Sequence, residues 1–280
     1  MAQGLMYTIY KERSMDITFI GGGNMATAII GGLAGGAHQI QVVEPGSEKR
    51  AQLAADFGVT ALPALPAAFG PEDIIVLAVK PQVLREVCLQ LAPVLGGALV
   101  ISIAAGIGIA AMAGWLGSER IVRVMPNTPA MVAKGVSGLY AAANVAQADR
   151  DNATAIMAAV GITTWLAAES GIDDITSVSG SGPAYVFYFI ESMIEGAVQA
   201  GFAEDEARRL VLATFEGAVA LARQSPLPVA TLRQNVMSKG GTTERAIFRF
   251  EADGVKTAIV AGMEDCRARS VALGIELSKD

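Results

Sequence analysis

Through the first half of the chain, short and almost wholly apolar runs alternate with stretches of helical periodicity. The runs are DITFIG (16–21), QIQVVE (39–44), IIVLAV (74–79), ALVISI (98–103) and IVRVM (121–125). Strands covered by helices on both faces read as continuous apolar runs, whereas a sheet with one wet face alternates. The pattern therefore predicts a parallel sheet built from βαβ units. VSGLYAA (136–142) and TTWLA (163–167) extend that sheet, with a helix from about Gln147 to Val160 between them. After Gly171 the apolar positions recur at helical spacing and no further convincing β run appears. Helices are expected over Pro183–Ala200, Glu204–Gln224, Val229–Met237, Thr242–Ala252 and Val255–Leu273, separated by Gly201, the SPLP turn, KGG and Asp253-Gly254. The expected fold class is α/β: a parallel-sheet domain over 15–171, then an all-α domain over 172–280. Residues 1–14, with Lys11, Glu12 and Arg13 and no apolar core of a secretory signal, are set apart as an extension expected to be disordered, and Met15 reads as a second start.

One stretch tests this picture. From Val87 to Ser118 there is no charged residue, which is long enough to span a bilayer. Pro93, Gly96 and Gly97 interrupt it early, and Gly106 and Gly108 interrupt it again. What remains is a buried strand, LVISI, and a small-residue helix over Ile109–Leu116. No membrane span is expected.

Composition narrows the function. The chain has 280 residues, 52% hydrophobic but only 6% aromatic, with 31 glycines, which suits packed helices and buried strands. Its 21 Lys and Arg against 27 Asp and Glu give a net charge of −6, and no basic run is present to neutralise a nucleic-acid backbone. Cys88 and Cys266 lie far apart, with no CxxC and no neighbouring His. They predict neither a disulfide framework nor a metal site. Both read as buried thiols in a reducing compartment, so a cytoplasmic location is expected.

ITFIGGGNMATAIIGGL places Gly21, Gly23 and Ala26 in G-x-G-x-x-A spacing, directly after a strand and at the opening of a helix that starts with Asn24 and Met25. In that setting the first glycine makes the tight turn, the second admits a pyrophosphate, and the small third residue packs helix on strand. The first domain is thus expected to be of Rossmann type and to bind a dinucleotide, the alternative being a glycine-rich turn without a ligand. Ligands of such sheets lie beyond the carboxyl ends of the strands. That location points to Ala78, Val79, Lys80 and Pro81, to Ala104 through Gly106, and to Asn127 and Thr128 as cofactor contacts. For Lys80 a solvated strand-end lysine explains the residue equally well. Glu44 ends the second strand about 20 residues after the glycines, where a carboxylate takes the adenosine ribose of NAD. Ser47, Lys49 and Arg50 are the neighbours able to receive the 2′-phosphate of NADP. Use of both NADH and NADPH is expected.

In the second half, Ser179-Gly-Ser-Gly-Pro183 has the form of a helix start with a hydroxyl cap and a proline in the first turn, and capping alone accounts for it as well as a ligand does. Ser238-Lys-Gly-Gly-Thr-Thr243 is a flexible turn feeding another helix start, where unsatisfied N–H groups and the helix dipole favour an anion such as a carboxylate. The one histidine, His38, sits in a loop before the second strand and reads as a surface residue.

The strings GGGNMA, AVKP, RVMPNTP, SGSGPAY and SKGGTT, in this order and spacing from near Met15 to the C-terminus, resemble the pyrroline-5-carboxylate reductase family. The resemblance implies a Rossmann domain, a helical domain that intertwines into a homodimer or a higher oligomer, and an active site where domains of partner chains meet. It implies hydride transfer from NADPH or NADH to the C=N bond of 1-pyrroline-5-carboxylate, giving L-proline as the last step of proline biosynthesis. It places Ser238 and Thr243 in catalysis and Ser179, Ser238, Gly240, Gly241, Thr242 and Thr243 on the substrate. An imine needs no His or Lys proton shuttle, because its ring nitrogen can carry the proton in. The nearest rival is a β-hydroxyacid dehydrogenase, but Val186, Phe187, Tyr188 and Phe189 stand where that family carries a lysine. A non-catalytic nucleotide sensor on the same fold is the rival of another class.

Overall fold

The computed structural model describes residues 14–277. They form two compact units, one running up to Ser181 and including the chain again from Cys266, the other spanning Gly182–Asp265.

The first unit is built on one eight-stranded sheet: β1 (Asp16–Ile20), β2 (Gln39–Val43), β3 (Thr60–Leu62), β4 (Ile74–Leu77), β5 (Leu99–Ser102), β6 (Ile121–Met125), β7 (Gly135–Ala141) and β8 (Gly161–Trp165). The spatial order is β3-β2-β1-β4-β5-β6-β7-β8. Every neighbouring pair is parallel except β6 with β7. The crossovers are α1 (Asn24–Leu33), α2 (Ser47–Phe57), α3 (Pro81–Leu91) and α4 (Ile109–Leu116), with α5 (Gln147–Ala158) joining β7 to β8. Strand order reverses between β1 and β4, the switch point at which such sheets receive ligands.

The unbroken apolar runs are explained by two buried faces. On β4, Ile74 and Val76 join a core with Phe19, Ile29, Leu53 and Val122, while Ile75 and Leu77 join another with Leu84, Cys88, Val100 and Met112. Residues that alternate in direction along the strand are therefore all apolar. The uncharged stretch from Val87 becomes the end of α3, a 3-10 turn at Ala92–Val94, β5 and α4. Among the described residues no helix is long and apolar enough to cross a membrane. Strand β3 was not expected; it is three residues at the sheet edge.

The first unit runs past Gly171, where a boundary was expected. A short helix, α6 (Gly171–Ile175), buries Ile172, and its Ile175 fills the space above Gly138 of β7, where a Cβ would come within 2.7 Å of it. A π-helical turn over Thr176–Gly180 follows, and the Ser181 N–H donates to the Thr176 carbonyl at 2.8 Å. The returning chain adds Arg267 on Asp174 at 2.6 Å, Ser270 on Asp173 at 2.7 Å, and Leu273 and Leu277 against Gly106.

The second unit holds α7 (Gly182–Gln199), α8 (Glu204–Gln224), α9 (Val229–Asn235), α10 (Thr242–Ala252) and the first half of α11 (Val255–Leu277). The helices fall where apolar periodicity put them. Their packing is sparse: within Gly182–Asp265 only Ala207 and Val211 are buried.

Candidate active site

Two sets of the expected residues lie together, one in each unit. The first is the β1–α1 turn. Gly21 donates its N–H to the Val43 carbonyl at 2.8 Å and has φ of +99°, and a Cβ there would stand 2.8 Å from the Ala78 carbonyl oxygen. The fold itself requires glycine at this position. Gly23 is the opposite case, with an ordinary φ of −66° and no atom within 4 Å of where its Cβ would lie. Among the described residues nothing crowds that position, so its backbone is open to the approach of a pyrophosphate. As the N-cap of α1 it also supplies no side chain to the first-turn N–H groups, which leaves them facing outward for an anion. Asn24 is exposed beside it, Met25 packs partly onto the core, and Ala26 is buried as the close-packing third residue.

Around this turn, Glu44 is held firmly. One carboxylate oxygen accepts the Gly22 N–H at 3.0 Å and the other accepts the Gly46 N–H at 2.9 Å. Neither partner was foreseen, because glycine amides carry no signature in sequence. Ala78 donates its N–H to Ile20 at 2.9 Å beside Val79, and exposed Lys80 is the N-cap of α3, with Pro81 in its first turn and no side-chain cap. Ala104 is buried. Gly106, with φ of +81°, packs under Leu273 and Leu277, so its conformation and packing already account for it. The start of α4 differs from those of α1 and α3: Glu169 occupies it by accepting the Ile109 N–H at 2.7 Å, and the same oxygen pairs with Arg123 at 3.1 Å.

Asn127 and Ser179 are brought together, but by the fold. The Asn127 amide donates to the Ser179 carbonyl at 2.9 Å and its oxygen accepts the Val136 N–H at 2.8 Å. Both residues are buried, and the Ser179 hydroxyl donates back to the Ile175 carbonyl at 3.1 Å instead of capping the next helix. The Ser179 hydroxyl thus serves the π-helical turn over Thr176–Gly180. Thr128, one residue on, is exposed. His38 is half-buried rather than a surface residue, with its Nδ1 buried and unpartnered among the described residues; burial lowers its pKa. Cys88 is buried, and burial pushes its thiol up to about 11. Cys266 is only partly buried and lies 3.2 Å from the Ser181 hydroxyl.

The second is the turn into α10. Gly240 has φ of +73°, and Gly241 returns its N–H to the Ser238 carbonyl at 2.9 Å. A Cβ on Gly241 would collide with the Ser238 hydroxyl, so the serine side chain lies directly over that backbone. The Glu244 carboxylate reaches back to accept the Gly240 N–H at 2.7 Å, one residue ahead of the N-cap, which braces the turn without capping the helix. Gly241 is the N-cap, and no side chain caps the helix, Thr242 and Thr243 included. Three hydroxyls thus cluster at a helix start whose first-turn N–H groups none of them uses.

Residues 169–273 match the pyrroline-5-carboxylate reductase dimerisation family, and residues 16–106 match the coenzyme F420-dependent NADP oxidoreductase family. A pyrroline-5-carboxylate reductase of Pseudomonas aeruginosa is 43% identical over 94% of this chain and 98% of its own length. One from Glycine max is 34% identical over 92% and 95%. Among solved structures, a pyrroline-5-carboxylate reductase from Coxiella burnetii superimposes with a TM-score of 0.85 at 37% identity, covering 93% of this chain and 99% of that one. A Plasmodium falciparum pyrroline carboxylate reductase with NADP bound gives 0.81 at 30% identity, covering 93% and 98%.

Proposed function

The chain belongs to the pyrroline-5-carboxylate reductase family, and from that premise we propose how its own residues divide the work. The protein is an oxidoreductase that reduces the C=N bond of 1-pyrroline-5-carboxylate with NAD(P)H, giving L-proline in the last step of proline biosynthesis, and it acts as a homodimer. In our reading the first unit holds the dinucleotide and the second holds the substrate and the partner subunit.

When bound, the nicotinamide supplies the hydride. The bare start of α1 and the open face of Gly23 receive the pyrophosphate, with Asn24, Met25, Ala78 through Pro81, Ala104, Gly106 and Thr128 as neighbours. Asn127 serves this site by fixing the turn after β6. In the second unit the uncapped N–H groups at the start of α10 hold the substrate carboxylate, assisted by the dipole of that helix. Ser238, whose hydroxyl lies over Gly241, orients the ring. Thr243 offers its hydroxyl to the ring nitrogen and keeps the protonated imine in place, a matter of orientation and electrostatics. Ser179 supports the fold beneath this machinery.

The observation that carries this reading is that neither Thr242 nor Thr243 caps α10, so the fold does not consume those hydroxyls. Thr243→Val keeps the branched shape and removes the hydroxyl. We expect a folded dimer with unchanged cofactor affinity and a loss in kcat/KM of about 10- to 100-fold, the worth of one hydrogen bond to a charged group. A normal kcat/KM with a stability loss of about 1 kcal/mol, the signature of a lost cap, would overturn it. We also place the enzyme in the cytoplasm, supported by two cysteines that form no disulfide; recovery in a secreted fraction would contradict this.

A further inference from the structure

We infer that Glu44 sets the cofactor choice of this enzyme and that NADH binds more tightly than NADPH. The inference rests on the reading that the β1–α1 turn holds the dinucleotide. In such folds the residue ending the second strand, about 20 positions past the glycines, meets the adenosine ribose.

What distinguishes this chain is how that residue is held. The Glu44 carboxylate accepts the Gly22 N–H with one oxygen and the Gly46 N–H with the other, at 3.0 and 2.9 Å. It is fixed across the glycine turn and the β2–α2 turn and is not free to swing aside. An ionised carboxylate only accepts hydrogen bonds, and its oxygens retain further lone pairs. The two hydroxyls of an unmodified ribose donate to such a group. A 2′-phosphate has no donor to offer and adds up to two negative charges beside a fixed one.

The cations that would have to compensate already have neighbours on the protein. Arg50 donates from one nitrogen to the Glu44 carbonyl at 2.8 Å and the Pro45 carbonyl at 2.6 Å. Lys49 reaches the Gln52 amide oxygen at 3.4 Å, and Glu48 adds another negative charge to the first turn of α2. The start of α2 carries no side-chain cap, but the N–H of its N-cap, Gly46, points at Glu44 and Glu48 stands in its first turn, so a phosphate there would sit beside two carboxylates. The β2–α2 turn therefore favours a ribose over a phosphate ester.

The test is calorimetric and needs no turnover. NADH and NADPH, and the half-cofactor probes 5′-AMP and 2′,5′-ADP, are titrated into the intact dimer of the wild type, Glu44→Gln, Glu44→Ser and Arg50→Ala. We expect wild-type NADH to bind at least about tenfold more tightly than NADPH, since like charges brought together are penalised at that scale or above. The probes should keep the same order. Glu44→Ser should close or reverse the gap, Glu44→Gln should narrow it, and Arg50→Ala should leave NADPH affinity unchanged. Equal or tighter NADPH binding by the wild type would overturn the inference. So would Glu44 variants that weaken both cofactors in parallel with a lowered melting temperature, which would make Glu44 only a brace between two turns, or a selective loss of NADPH binding in Arg50→Ala. A folded wild type that binds neither cofactor nor either probe would instead refute the dinucleotide reading, and this inference with it.

Discussion

The sheet unit and the helical unit are equally regular in secondary structure and unequal in how they are closed. In the first, Phe19, Leu53, Ile75 and Leu84 are completely buried, and both faces of the sheet have their own apolar layer. In the second, Phe187 is 62% exposed, Tyr188 68% and Val219 56%, while the buried residues are an alanine and a valine. Apolar surface on that scale marks an interface. One unit completes its core from within the chain, and the other borrows it from a second copy, as the dimerisation family it matches requires. Hydrophobic periodicity reports that a helix has something to bury. It is silent on whose residues will cover it.

Three measurements separate the two units, from the largest effect to the smallest. Phe19→Ala opens a cavity in a core that no partner can refill, and about 3–5 kcal/mol of stability should be lost. Denaturation should register the loss while light scattering still finds a dimer. Phe187→Glu puts a charge on the face that a partner covers. Dimer dissociation should become roughly 100-fold easier, about 2.7 kcal/mol, and NADH titration should be normal because the sheet unit keeps its own core. A variant that stays dimeric on dilution would show that this part of α7 is not in the interface. The weakest effect is that of pH on His38, the only histidine. Burial lowers its pKa from 6.5, so the unfolded chain takes up the proton first. Its contribution is intact above about pH 6.5 and is lost as pH falls towards the folded value. His38→Gln should flatten the melting-temperature profile in that window, and parallel profiles would contradict the burial of the ring.

Much of the sheet was legible because β1, β4, β5 and β6 are buried on both faces, which leaves a run of apolar residues that nothing else mimics. β3 was not, since Thr60–Leu62 is short, sits at an edge and is at most half-buried. The glycine turn could be read as a site, but only the geometry separates Gly21, which the fold needs, from Gly23, which it does not. Asn127 and Ser179 stand 52 positions apart. Their motifs suggested ligand contacts, and no local pattern discloses that each serves the other. The turn into α10 was recognisable as a helix start. That its threonines leave the cap unmade depended on the backbone path through Gly240 and Gly241.

The first unit is also discontinuous, and this bears on how the protein is born. Its sheet emerges from the ribosome early, but Leu277, which packs on one of its two cores, and Leu273, which covers Gly106, are made only after the whole helical unit. At about 5–20 residues per second, the nascent sheet waits on the order of ten seconds for its last element. The helices that a partner covers are made one after another within that interval. The sheet core is therefore sealed last, by residues made after the surface that a second copy covers.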